Sequence, residues 1–134
     1  MMKQLMHIKQ VKENCLYVSD LDRSMAFYHH LLGMPLISHV AGRHVFFRAG
    51  SSVLLCFLPE VTKAEKTLPP HFAYGMQHLA FEVHLEEYEL WKEKLKQEGI
   101  AIIHEQHWKD DLYSCYFHDP DGHVLELIPP GIWE

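Results

Sequence analysis

Three side chains carry the chemistry that can be read from this sequence: Glu13, His78 and Glu126. Glu126 lies inside Val124-Leu-Glu-Leu-Ile128, and a carboxylate packed among aliphatic neighbours is costly unless a cation or a hydrogen-bond donor meets it. His78 opens the run His78-Leu-Ala-Phe-Glu-Val83, and Glu13 opens Glu13-Asn-Cys-Leu-Tyr-Val18, which aligns with it without a gap. One imidazole and two carboxylates make a donor set for Zn²⁺, Ni²⁺, Mn²⁺, Fe²⁺ or Co²⁺, with positions left over for water or substrate. The ligand types do not choose among these ions. The chain holds 12 histidines in 134 residues, so some must be neighbours by chance, and position rather than number has to select a ligand.

Position comes from the elements. The run 13–18 has strand-like β-branched and aromatic content, and Ser19-Asp20 supplies an N-cap for a helix starting near Leu21. Leu21, Met25, Tyr28 and Leu32 recur at helical spacing, with Gly33 where a C-terminal cap belongs. Strands are expected at Pro35–Ala41, His44–Ala49 and Ser52–Leu58, separated by glycine-containing turns. Pro59–Gly75 shows no sustained period and reads as a linker. The order then repeats: a strand over Met76–Val83, a helix over Glu86–Gln97 with Tyr88, Trp91 and Leu95 on one face, and Gly99 as its cap. Strands follow at Ile100–Glu105, Tyr113–His118 and Val124–Ile128, the last two joined by Asp119-Pro-Asp-Gly122. Val53-Leu-Leu-Cys56 matches Val124-Leu-Glu-Leu127, so Leu55 is the repeat mate of Glu126. The expected fold class is α+β: two tandem βαβββ modules forming an incomplete eight-stranded, barrel-like cup. The expected domain is single, 1–134, with module one over 1–58, the linker over 59–75 and module two over 76–134.

Alternate residues of a strand share a face. With Leu79, Phe81 and Val83 turned to the helix, His78, Ala80 and Glu82 turn into the cup, as do Glu13, Cys15 and Tyr17 of the first strand and Val124, Glu126 and Ile128 of the last. Repeat symmetry is expected to bring Glu13 to His78. The alternative for Glu13 is an exposed carboxylate beside Lys12 at a fraying strand start. Arg48 is a candidate for an anionic substrate group, Ser114 and Tyr116 share the inward face of their strand, and Tyr17 is a further lining candidate. His118 and His123 flank the tight turn and read as surface residues, and Trp91 reads as core.

A formal charge of −6 without a basic block argues against a nucleic-acid surface. No apolar run approaches the roughly 20 residues that span a bilayer, and Met1–Glu13 lacks the apolar centre of a signal peptide. Cys15, Cys56 and Cys115 are odd in number, widely spaced and set in apolar runs, as reduced thiols of a cytoplasmic protein would be.

The runs Leu16-Tyr-Val-Ser-Asp-Leu-Asp-Arg-Ser-Met-Ala-Phe-Tyr28, Leu32-Gly33, 78–83 and Tyr116-Phe-His-Asp-Pro-Asp-Gly-His-Val-Leu-Glu-Leu127 resemble the vicinal oxygen chelate superfamily. That superfamily holds glyoxalase I, bleomycin-resistance proteins, fosfomycin-resistance enzymes and extradiol dioxygenases. The resemblance implies a divalent ion held by Glu13, His78 and Glu126, with Glu13 where a histidine is usual and Leu55 where glyoxalase I has a further glutamate. It implies a lyase or isomerase acting on a small oxygen-rich substrate that chelates the metal, with Glu126 or Glu13 doubling as general base. Fosfomycin-type modification and extradiol cleavage are disfavoured by Glu13 in place of histidine. A non-catalytic, ligand-sequestering module of the bleomycin-resistance type is the rival reading. Homodimers are common in the superfamily, so the cup is expected either within one chain or shared between two.

Overall fold

A computed structural model describes residues 5–134. Strand β1 (Glu13–Tyr17) leads into α1 (Leu21–Ser24), whose Asp20 cap accepts from the Arg23 backbone N–H at 3.1 Å. The helix continues as a π-helix over Met25–Leu31, followed by β2 (Leu36–Val40), β3 (His44–Ala49) and β4 (Ser52–Phe57). A short α2 (Pro59–Thr62) lies in the connection to the second half. There β5 (His78–Glu82), a 3₁₀ turn (Leu85–Glu87) and α3 (Tyr88–Gln97) precede β6 (His104–Lys109), β7 (Leu112–His118) and β8 (Val124–Ile128).

The eight strands form two separate four-stranded sheets of the same order, β1-β4-β3-β2 and β5-β8-β7-β6, so the repeat read from the sequence is a repeat of topology. In each, the first strand pairs in parallel with the last, and the rest are antiparallel hairpins. Gly33 and Gly99 close the two helices with φ of +81° and +76°, a region that glycine enters without strain.

The helix-facing sides of both sheets share one core. Leu16, Val45, Phe47, Leu54 and Cys56 from the first half join Tyr88, Leu95, Cys115, Phe117, Leu125 and Leu127 from the second. Phe27 and Tyr28 are both buried, although a 3.6-residue period selects only Tyr28. The π-helical turns account for the difference, because their wider winding lets two consecutive rings face the core. Phe27 then meets Phe117 at 6.3 Å between ring centroids, and the Tyr28 hydroxyl donates to Asp119 Oδ2 at 2.6 Å. These contacts fasten the first helix to the second sheet.

Three expectations are corrected. The strand expected over Ile100–Glu105 forms later, at His104–Lys109; Ile100 and Ile102 instead pack against the core as irregular chain, and the edge strand takes the polar residues. Trp91 is only half-buried. His123 is not a surface residue: it is 2% exposed, accepts the Gln77 N–H on Nδ1 at 3.1 Å and donates from Nε2 to the Tyr17 carbonyl at 2.7 Å. It therefore bridges the first strands of the two halves as a neutral imidazole.

The connection is anchored by Arg43, which donates to both Glu65 oxygens at 2.9 and 2.8 Å and holds that carboxyl below the ordinary value of 4.5. A carboxyl lowered on folding stabilises the protein above its unfolded pKa, and that contribution is lost as pH falls through the folded value. Acidification below 4.5 should release the connection in the natural protein. Hydrogen-exchange protection in 59–75, taken relative to the intrinsic rate at each pH, should fall between about pH 6 and pH 3 in the natural protein and change less in Glu65→Gln, which has no carboxyl to protonate at that position.

Candidate metal centre

On β8, Leu125 and Leu127 point to the core, which sends Glu126 to the opposite face. There it is covered by its neighbours and only 4% exposed, and its Oε2 has no hydrogen-bond partner. His78, on the adjacent β5, is an open side chain whose Nδ1 lies 2.8 Å from the Val124 carbonyl. A carbonyl only accepts, so Nδ1 carries the proton and the lone pair of a neutral ring is on Nε2. That nitrogen faces Glu126 Oε1 at 3.3 Å. Two acceptors set this close repel unless a proton or a cation lies between them. A ring held in this tautomer by its second hydrogen bond, beside an orphaned carboxylate oxygen, could serve as a ligand pair for a divalent ion.

Tyr116 stands directly across from Glu126 on β7, with its ring 6.0 Å from His78. Burial and the neighbouring Glu126 push its hydroxyl above the ordinary phenol range, so it stays protonated. Ser114 is on the same strand face but fully buried, and its hydroxyl accepts the Trp108 indole N–H at 2.9 Å; it is closed to a ligand in this chain. Arg48 and Tyr17 lie on the other sheet, Arg48 exposed and Tyr17 half-buried.

Glu13 is not brought to the pair. It is exposed at the start of β1, and among the described residues no three His, Cys, Asp or Glu side chains gather at one point. The two edge strands run past each other in opposite directions. The Tyr17 N–H reaches Gln77 Oε1 at 3.2 Å, whereas Asn14 lines a cavity of about 490 Å³ with Glu82 and Val83. Glu13 is therefore displaced from His78 by four residues of strand, about 13 Å at roughly 3.3 Å per residue. Repeat-equivalent residues meet only where the symmetry axis passes between them, and within one chain that axis passes elsewhere.

The donor pair thus fits a divalent ion as an incomplete ligand set, presented on an open sheet face. Sequence reasoning missed His123 and Asp121, which build the junction beside this face. Asp121 Oδ1 accepts from the Ser19 N–H at 2.8 Å and from its hydroxyl at 2.7 Å. The only sequence signal for either was the Asp119-Pro-Asp-Gly-His123 run, read as a plain turn.

The chain and its fold are similar to those of known proteins. The family described as Glyoxalase/Bleomycin resistance protein/Dioxygenase superfamily matches residues 4–127. The glutathione transferase FosA of Serratia marcescens is 35% identical over 112 residues, covering 84% of this chain and 74% of that protein. The metallothiol transferase FosB of Staphylococcus epidermidis is 31% identical over 125 residues, 91% of this chain and 82% of the other. Among solved structures, a lactoylglutathione lyase from Agrobacterium tumefaciens superposes with a TM-score of 0.89 at 30% identity, over 95% of this chain and 98% of that one. With the match spanning nearly its whole length and both sheets, this chain belongs to the glyoxalase/bleomycin resistance/dioxygenase superfamily.

Proposed function

We propose that this chain is a divalent-metal enzyme acting on a small oxygen-rich substrate, with His78 and Glu126 of one copy and Glu13 of a second copy as ligands. The observation that carries the reading is the His78 Nε2–Glu126 Oε1 approach of 3.3 Å beside a carboxylate oxygen that has no partner. The separation of Glu13 from that pair supports a homodimer, each site drawing on both copies. A bound ion would act as a Lewis acid on vicinal substrate oxygens. Val124 holds the His78 ring in the tautomer that presents Nε2, Tyr116 keeps a protonated hydroxyl beside the pair, and Glu126 is the candidate proton acceptor.

Two reactions fit this arrangement. The lyase or isomerase reading has the support of the lactoylglutathione lyase likeness, and the thiol-transfer reading has that of the transferase names of FosA and FosB. Both place an oxygen-bearing substrate on the metal. Ligand sequestration without metal would leave only a proton to join the facing His78 and Glu126 atoms. The test is the metal content of protein purified without chelator, by elemental analysis. Close to one equivalent of a divalent ion per chain is expected; less than about 0.1 equivalent, with no uptake of Zn²⁺, Ni²⁺ or Mn²⁺, would overturn the proposal.

A further inference from the structure

In each half the first strand has one free edge. Parallel pairing uses the main-chain groups of alternate residues. On β5 these belong to the odd-numbered residues: the Gln77 carbonyl takes the Val124 N–H at 2.8 Å, and the Val83 N–H reaches the Ile128 carbonyl at 2.9 Å. The N–H and C=O of Ala80 and Glu82 therefore point away from β8, and among the described residues no main-chain group meets them. On β1 the groups of Glu13, Cys15 and Tyr17 are turned outward in the same way. At one end the two edges are pinned together through Gln77 and His123, which take up both main-chain groups of Tyr17. At the other end they part around the cavity of about 490 Å³. It is a slot lined by Met34, Leu79, Phe81 and Val83 towards the helices and by Glu82 towards the cup. Unpaired edges of this kind accept a further strand.

A matching segment starts at the mouth of the slot. Residues 5–12 belong to no helix or strand. Gln10 and Val11 are held by Ser51 and Ser52, which line the slot, and the chain before them is bare, Met6 exposed by 94% and Ile8 by 91%. Met6-His7-Ile8-Lys9 alternates apolar and polar side chains with the period of a strand. Laid in the slot, such a strand turns Met6 and Ile8 to the apolar wall and sets Lys9 on the side of Glu82. Its own slot is out of reach, because Gln10, Val11 and Lys12 all bond to residues 51–53 on one edge of β1 and the slot opens on the other. We infer that residues 5–9 of a second copy fill the slot as an added strand, paired to the main chain of Ala80 and Glu82. A twofold axis at the mouth serves both arms at once, so the exchange is reciprocal. It needs a second copy, as the shared metal site does, and is independent of the ion.

The test uses full-length, metal-free protein and substitutions in the exposed arm, which has no packing of its own to lose. Sedimentation equilibrium is expected to show a dimer, and Met6→Ser/Ile8→Ser to weaken its association at least about tenfold. The amides of Ala80 and Glu82 should exchange slowly in the natural dimer and fast in that variant. Lys9→Glu should also weaken association, and adding Glu82→Lys should restore it. Association unchanged in either arm variant, or fast exchange at Ala80 and Glu82 in the natural dimer, would overturn the arm exchange and leave the shared metal site standing. Slow exchange at those amides in a monomer would put the arm in its own slot and overturn the second copy as its occupant. A monomer with fast exchange would overturn the arm exchange, and one that stays monomeric with Zn²⁺ would overturn the shared site as well.

Discussion

Replacing Glu126 with leucine should raise the stability of the metal-free protein while removing its divalent-ion binding. The two effects have one cause. Glu126 is 4% exposed, one of its oxygens has no partner, and the other faces the lone pair of His78. A carboxylate left in that setting gives up hydration and gains little in return, so an apolar residue of similar size in its place is expected to be neutral to stabilising. Leucine already occupies the equivalent place in the first sheet, where Leu55 is buried. In chelator-treated protein, the variant is expected to melt a few degrees higher by calorimetry. Zn²⁺ affinity by equilibrium dialysis should fall at least about a hundredfold, since a charged ligand is lost outright. A variant that melts lower and keeps its affinity would mean that Glu126 has a structural partner and no part in metal binding.

Asp119→Ala should be among the most destabilising single substitutions in the chain, by about 3–5 kcal/mol in urea unfolding. Its carboxylate accepts three hydrogen bonds, from the Tyr28 hydroxyl at 2.6 Å and from the backbone N–H groups of Asp121 and His123, each at 2.9 Å. Bonds to a charged acceptor are the stronger kind, and removal of the acceptor strands its donors. Tyr28 is fully buried, with no water to replace the lost partner. The damage should also spread. The Asp119 turn fixes His123, and His123 holds Tyr17 and Gln77 at the ends of β1 and β5, immediately before His78. Zn²⁺ affinity should therefore drop along with stability. Asp119→Asn keeps an acceptor for the two backbone donors and is expected to cost roughly half as much. A loss below about 1 kcal/mol in Asp119→Ala would show that the two halves are held together mainly by the apolar contacts of Phe27 and its neighbours.

The order of elements was legible in the sequence because each half repeats the other, and the period-2 pattern of 78–83 and 124–128 put His78 and Glu126 on the cup side, as observed. What local pattern could not carry was the relation between the halves. Glu13 and His78 were matched correctly as repeat mates, yet their meeting depends on where the symmetry axis falls, and that is set by side chains distant in sequence: Tyr28 on Asp119, Ser19 on Asp121, His123 on Tyr17. His123 looked like a surface residue because turns generally face solvent; here the turn is folded into the seam. β6 was misplaced because its apolar lead, Ile100 to Ile103, scored as strand, while the paired residues that follow are polar on an exposed edge. Ser114 was placed on the right face, and only the fold of Trp108 over it shows that it is closed.

The distance between Glu13 and the His78–Glu126 pair has a consequence for how such a site is sensed. Where the third ligand comes from a second copy, as proposed, occupancy by the ion and association of the copies become linked equilibria. The affinity a titration reports is then a property of the solution as much as of the protein, tight where chains are abundant and weak where they are sparse. Dilution would act on this protein as a chelator does, and the ion would report how many copies are present.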